Sequence, residues 1–351
     1  MTGRSARDQT ADFGGDAAWV RCPLCGHRCL VPLTELYGDD RLCAGCALFV
    51  EPGTWETDAI DPEQTSQSVN WITDVAWFHT STHSEWPPPE AGARDRAIHL
   101  GTYEAAVDSM FYRMSAMDEA HCPFHLHRVV LPNNVSINPR LGEDRGQMLT
   151  GIVDLQVATE GVHHGYRYIN RKEHRGSVSL ALDPIVITAV QTVALPHTEL
   201  LAHTETRAEA AVARHDAECA AAESTLTAFD RRTPPPQLDV VLGRTAAGRR
   251  FADRDSRLWA AQDALYDVLD EEYLPDVSTL HRDLFRDAVR AMMPPRITAS
   301  TAHHLYRLHS PTITFSDKVI ALAAAEPVRR PTWLEAQPTR PVRPRYLSTN
   351  D

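Results

Sequence analysis

Two Cys-x2-Cys pairs near the start of the chain, Cys22-Pro-Leu-Cys25 and Cys43-Ala-Gly-Cys46, are separated by seventeen residues. This spacing constrains the local fold more tightly than anything else in the sequence. Each pair can form a tight knuckle that aims two thiolates at one tetrahedral ion, and a hairpin between the pairs closes the site. Five of the seven cysteines fall between Cys22 and Cys46. The first residues, Met1 to Trp19, lack the apolar core of a secretory leader. Such clustering then favours metal over disulfides, and over a redox dithiol. Cys22, Cys25, Cys43 and Cys46 are the expected ligands of one structural Zn2+, with Cys29 spare and His27 a surface residue. Four sulfurs leave no open coordination position, so the expected work of this module is folding and docking.

The module resembles a zinc ribbon and is expected to cover residues 18–52, after a disordered 1–17 rich in Gly, Asp, Ser and Arg. A chain of 351 residues is long enough for more than one folding unit. No apolar run approaches the roughly 18 residues that a membrane helix needs. No membrane association is therefore expected, and a cytoplasmic address follows. The net charge of −12 has scattered acidic residues and argues against wholesale binding to nucleic acid, which relies on Lys and Arg at phosphates. Lys172 and Lys318 are the only lysines beside an abundance of arginine. That bias fits a GC-rich genome, such as an actinobacterium or one of its phages.

Downstream the expected class is α+β. A polar linker follows the ribbon, then a mixed domain over 71–196. Its strands are "VAWFHT", "AIHL", "FHLHRVVL", "GYRYIN", "GSVSLAL" and "IVITAVQTVAL". Between the second and third, Tyr103, Ala106, Val107, Met110, Phe111 and Met114 recur at helical spacing, with Thr102 as N-cap and Glu104 in the first turn. Residues 197–326 read as helical. They comprise a long Ala-rich helix ending before Pro234, one through Leu258–Tyr273, one through Leu280–Met292, and shorter ones near 300–309 and 315–325. A Pro/Arg-rich tail, 327–351, reads as unstructured.

Histidines crowd the mixed domain: His79, His83, His99, His121, His125 and His127. No His-Glu-x-x-His helix accompanies them, which sets catalytic metal aside. His79 lies on the first strand, two residues before Ser81. His99 lies on the second, before a Gly-Thr break and the helix. Asn170 ends a late strand, and Glu173 follows it. In this order the pieces resemble the ADP-ribosyltransferase-like domains of phage and bacterial toxins or effectors. That family carries a His followed closely by Ser or Thr, then a strand, a small polar turn and an Ala-containing helix, then a late glutamate. In this sequence Thr80 stands where a glycine is common between the first two, and His99 where an aromatic is expected.

The resemblance implies NAD as substrate. His79 and Ser81 would hold the ribose and the nicotinamide amide, and His99 or Tyr103 would pack against the nicotinamide ring. Asn170 would join the binding set, and Glu173 would be the catalytic acid, assisted by His79. The residue types suit the chemistry. Breaking the nicotinamide–ribose bond builds positive charge on the ribose, and a carboxylate beside it is worth more in that state than in the ground state. The expected activity is ADP-ribosyl transfer to a host protein or nucleic acid, or NAD hydrolysis. The alternative is a non-enzymatic zinc-ribbon adaptor, binding protein or nucleic acid, whose middle domain is degenerate. Each residue also has a plain reading: His79 as a core histidine, Tyr103 as the start of an apolar helix face, and Glu173 as a salt-bridged loop residue among Arg171, Lys172 and Arg175.

Overall fold

The computed structural model describes residues 17–32, 35, 41–50, 56–60, 69–88, 97–116, 118–143, 155, 159, 161–170, 173–174, 176–292 and 298–332. Residues 1–16 of the expected disordered stretch and the Pro/Arg-rich tail beyond 332 lie outside them; Ala17 instead begins a strand, and the start of the tail is not unstructured, since Arg329 pairs with Val190. The fold is mixed α and β. Among the described residues no helix is long and apolar enough to cross a membrane. Chain packing divides the protein into two units, one comprising 1–110, 122–195 and 316–351, the other 111–121 and 196–315.

The first unit begins with β1 (Ala17–Arg21), β2 (Arg28–Pro32), β3 (Arg41–Leu42), β4 (Phe49–Val50) and β5 (Glu56–Ile60). They form a three-stranded antiparallel sheet, β2-β1-β5, and a two-stranded hairpin, β3-β4. The polar stretch expected to be a linker therefore contributes an edge strand, β5, joined to β1 across a bulge at Trp19/Val20. An edge strand pairs on one side only, so its sequence need not carry an apolar core face.

The mixed part holds β6 (Ala76–Ser81), β7 (Ile98–Leu100), α1 (Tyr103–Ala116), β8 (Phe124–Val130), β9 (Ile137–Glu143), β10 (Gly165–Ile169), β11 (Val178–Leu182) and β12 (Val190–Leu195). Two sheets result, ordered β12-β8-β6 and β7-β11-β10-β9. They are linked where Phe78 and Gly101 exchange backbone hydrogen bonds of 2.9 Å in both directions. All pairs are antiparallel except β9 with β10. Strand β9 was not expected from the sequence because Pro139 interrupts it. Proline is tolerated at a sheet edge, and the register shift opposite Tyr166/Arg167 passes over it. Arg167 is fully buried beside this shift and donates to the Pro139 carbonyl. Burial lowers its pKa to about 10.

Thr102 caps α1 as expected, accepting from Ala105 N at 3.1 Å. Thr80 Oγ1 donates to the Ala106 carbonyl, and Phe78 meets Tyr103 edge-on, so α1 covers one face of β6. The alternation of β6 then sends Trp77, His79 and Ser81 to the opposite face. One apolar core runs through both sheets and reaches the cysteine module, from Val20, Cys22, Val31 and Cys43 to Trp77, Leu180 and Val190. Helix α9 (Ser316–Ala325) packs on β12 and β8, and Gln191 Nε2 donates to the Ala324 and Glu326 carbonyls.

The second unit contains α2 (Thr206–Ser224), α3 (Ala228–Arg232), α4 (Gln237–Leu242), α5 (Ala246–Tyr273), α6 (Thr279–Met292), α7 (Ala299–His309) and α8 (Pro311–Thr314). The single long helix expected before Pro234 is instead broken at Thr227. Its side chain accepts from Asp230 N and starts α3 with a capping box. Helix α5 begins well before Leu258, at a Thr245 cap. Ala208, Ala211 and Ala222 are buried on α2, which packs on α5 and α7. Arg207 with Glu271 and Glu272, and Arg257 with Glu218, fix α2 and α5 antiparallel. Inside, Tyr306 donates to Asp270 Oδ1 at 2.5 Å, and Arg286 binds the other carboxylate oxygen.

His309 closes α7 and is 5% exposed. Burial, with a smaller push from His304, lowers its pKa from 6.5 to about 4. Unfolded chains then bind a proton that the folded protein refuses, so this histidine's contribution is intact above pH 6.5 and erodes as pH falls toward 4. A difference of this size corresponds to about 3 kcal/mol. We expect urea unfolding of His309→Asn to show a shallower loss of stability between pH 6.5 and 4 than the parent chain. An unchanged pH slope would remove His309 from the acid sensitivity.

Candidate functional site

The two cysteine knuckles are built alike. Cys22 N donates to the His27 carbonyl and Gly26 N to the Cys22 carbonyl, both at 2.9 Å. Cys43 N donates to the Leu48 carbonyl at 2.9 Å and Ala47 N to the Cys43 carbonyl at 2.8 Å. Gly26 and Ala47 occupy the same step of each turn with positive φ, 72° and 54°. Gly45 meets the other knuckle, because a Cβ there would lie 2.5 Å from His27 Cβ.

The sulfurs of Cys22, Cys25, Cys43 and Cys46 all lie within 4.8 Å of one another. A tetrahedral ion with metal–sulfur bonds of about 2.3 Å separates its sulfurs by about 3.8 Å, and Cys25 and Cys43 are 3.7 Å apart. The Cys46 backbone N–H, aided by that of Gly45 and against desolvation, lowers the Cys43 pKa to about 6. On Cys25 the His27 backbone N–H acts in the same sense but is outweighed by burial and the neighbouring sulfurs, so its pKa rises. Four sulfurs gathered this closely suit a cation that replaces their protons, such as zinc. Cys29 packs against the core outside this set.

A second cluster forms where β6, β7, the start of α1 and the turn after β10 meet. His79 Nδ1 donates to the His99 carbonyl at 2.9 Å, which leaves Nε2 as the acceptor of the neutral ring. The His99 ring reaches the Tyr168 hydroxyl at 2.8 Å through Nδ1. Gly101 packs so closely that a Cβ would stand 2.9 Å from Ala105 Cβ and 3.0 Å from Ser179 Oγ. Asn170 is buried and donates to Ser179 Oγ, and to Ser177 Oγ at 3.4 Å. Its backbone closes the turn that carries Glu173, through Gly176 N at 2.9 Å and the Ser177 carbonyl at 2.8 Å. The next residue ties that turn to α1. His174 N donates to Asp108 Oδ2 at 2.8 Å, and His174 Nδ1 lies 3.1 Å from Thr102 Oγ1.

His79, His99, Glu173 and His174 are half-buried. His79 reaches this corner only through its bond to the His99 carbonyl, its ring lying on the face of β6 turned away from α1. Ser81 and Tyr103 sit deeper. Ser81 Oγ lies 2.9 Å from His127 Nε2, and His127 Nδ1 lies 3.0 Å from Thr192 Oγ1. His127 is fully buried. Desolvation first, then His79, drives its pKa well below the usual range and keeps it neutral. Tyr103 is buried against Phe78 and opens the apolar face of α1.

Asp108, Tyr168 and Trp86 were not singled out in the sequence, and His127 was noted only among the histidines set aside as metal ligands. Asp108 alone left a signal, an acid flanked by apolar positions of α1. Gly101→Ala is expected to push β7 away from β11, costing about 1–3 kcal/mol. A thermal melt at the parent's midpoint would contradict this. Comparisons with protein families, with curated proteins and with solved structures find no match to this chain.

Proposed function

We propose that the protein consumes NAD as an ADP-ribosyltransferase-like enzyme, and that its four-cysteine cluster holds a structural Zn2+ in a zinc ribbon. The supporting observation is convergence. The His79 strand, the His99–Thr102 junction and the Glu173–His174 turn, remote in sequence, are joined by the Phe78–Gly101 backbone pair and by the Thr102 and Asp108 contacts to His174. In this reading Glu173 is the carboxylate beside the ribose, and His79 Nε2, on the face of β6 turned away from α1, is the acceptor for the ring end of the dinucleotide. The nicotinamide–ribose bond breaks with its electron pair leaving on the nicotinamide. C1′ of the ribose, stabilised by the Glu173 charge, then bonds to water or to an acceptor oxygen or nitrogen, which gives up its proton. The zinc, when bound, supplies only cross-linking of the ribbon.

The test is incubation of purified, zinc-loaded protein with NAD, followed by chromatography of the products. The proposal expects nicotinamide to accumulate beyond one equivalent per chain as NAD disappears. Intact NAD after hours with folded protein would refute it. One observation favours the adaptor reading: Leu24, Leu48 and Phe49 are 59%, 55% and 70% exposed beside the knuckles. In that reading these side chains dock a protein partner, and NAD remains untouched.

A further inference from the structure

The face of β6 that carries His79 is covered. His79 pairs with His127 across β6 and β8, and Ser81 pairs with His125. The rings of His79, His127 and His125 form a nearly parallel row, with centroids 6.3 and 6.4 Å apart and planes tilted by 25° and 24°. The indole of Trp86 lies over this row, 4.5 Å and 22° from His79 and 5.3 Å and 17° from His127. It is 6% exposed. It is carried by 82–88, a segment outside any strand or helix, in which Ser84 and Glu85 face solvent.

A second segment holds this one down. After α9 the chain runs back along β12, where Arg329 and Val190 exchange two backbone hydrogen bonds of 2.8 Å. Three residues on, Thr332 Oγ1 donates to Glu85 Oε2 at 3.4 Å. A cavity of about 60 Å³ remains between 84–87, β12 and 329–332. This cleft is open to solvent, since Ser84, Glu85, Arg329 and Arg330 on its rim are exposed.

We propose that Trp86 is a built-in occupant of the ring-binding part of the site, a lid latched by the strap 326–332. This inference rests on the NAD reading and adds its regulation. An indole stacked on imidazoles makes the same kind of contact as the flat heteroaromatic ring of a nucleotide. While Trp86 lies on His79 the ring of a ligand cannot. A site open for only a fraction of the time binds with its affinity reduced by that fraction. Releasing the strap therefore raises apparent affinity without altering any group that touches the ligand.

The test uses two variants of the full, zinc-loaded chain. Arg329→Pro removes the N–H that bonds Val190 and leaves Trp86 in place. Trp86→Ala removes the lid. In Arg329→Pro, hydrogen exchange of 82–88 is expected to quicken by about tenfold while 124–130 keeps its protection. Both variants are expected to bind NAD about tenfold more tightly by calorimetry. Should Trp86→Ala fail to fold, Arg329→Pro decides alone.

Unchanged exchange in 82–88 overturns the latch, and equal or weaker NAD binding by a folded Trp86→Ala overturns the lid. Nicotinamide and adenosine 5′-monophosphate serve as separate probes. If no form binds NAD or nicotinamide but the variants bind adenosine 5′-monophosphate more tightly than the parent, the NAD reading fails while the covered ring site stands. If none of the three probes binds any form, the ring site is refuted as well.

Discussion

Replacing Cys43 with serine is expected to strip the chain of its bound metal and to unfold the ribbon around β1–β5. The Cys43 side chain is buried, accepts from Gly45 N at 3.3 Å, and belongs to the same apolar cluster as Val20, Val31 and Val50. Of that cluster, among the described residues, only Val20, Cys22, Val31, Cys43 and Val50 are buried within the module, so a cross-link is expected to carry much of the ribbon's stability. Structural zinc supplies about 10–16 kcal/mol of apparent binding energy in such modules, and little of it survives with three sulfurs. Metal analysis should find one zinc per parent chain and none in Cys43→Ser. Limited proteolysis should then cut within 17–60 in the variant, and equally in the parent after chelation. A variant that retained a full equivalent of metal, or resisted protease as the parent does, would contradict a four-sulfur structural site. Cys29→Ser, by contrast, is expected to keep the metal, since Cys29 lies outside the cluster that could hold an ion.

Glu173→Gln is expected to lower nicotinamide release by about a hundredfold to a thousandfold, the range found when one preorganised electrostatic contact is removed from a transition state. The substitution keeps the side chain's size and removes its charge. The turn itself is held by other groups: the Asn170 backbone, the His174 N–H on Asp108, and Thr102 beside the His174 ring. The thermal midpoint should therefore stay with the parent's. This pairing separates the catalytic role from the alternative, in which Glu173 only balances nearby arginine and lysine. A charge-balancing residue would leave release unchanged, and a residue holding the fold would lower both quantities together.

The parts of the fold that could be read from sequence are those governed by local rules. The cysteine knuckles follow from spacing alone, and α1 from its periodicity and its Thr102 cap. The buried strands β6, β8, β10 and β11 follow from apolar runs bounded by turn residues. Two edge strands, β5 and β9, were hidden, while the edge strands β6, β7 and β12 were expected. Glu56–Ile60 is polar, and Ile137–Glu143 contains Pro139, which only an edge with a register shift can accept. In the helical unit the apolar spacing located α6 and the second half of α5, but Thr227 and Thr245 set helix boundaries that the spacing did not mark.

The site was legible in its pieces and not in its assembly. His79, His99 and Glu173 could be named only through the family resemblance, whose residue types suit glycosyl chemistry. The contacts that bring the Glu173–His174 turn to the start of α1 join residues 66 and 72 positions apart. Such contacts depend on strand register and sheet order, which local pattern does not determine. Trp86 illustrates the same limit. Nothing in "HSEWPPP" shows that its indole will settle on the imidazole of a strand that has just ended.

The most direct measurement is a crystal structure of the zinc-loaded Glu173→Gln chain grown with NAD. It should show one dinucleotide with its ribose within hydrogen-bond reach of both His79 Nε2 and the residue-173 side chain, and Trp86 displaced from the imidazole row. A dinucleotide bound elsewhere, or no dinucleotide at saturating NAD with Trp86 still seated on His79, would contradict an NAD site at this corner.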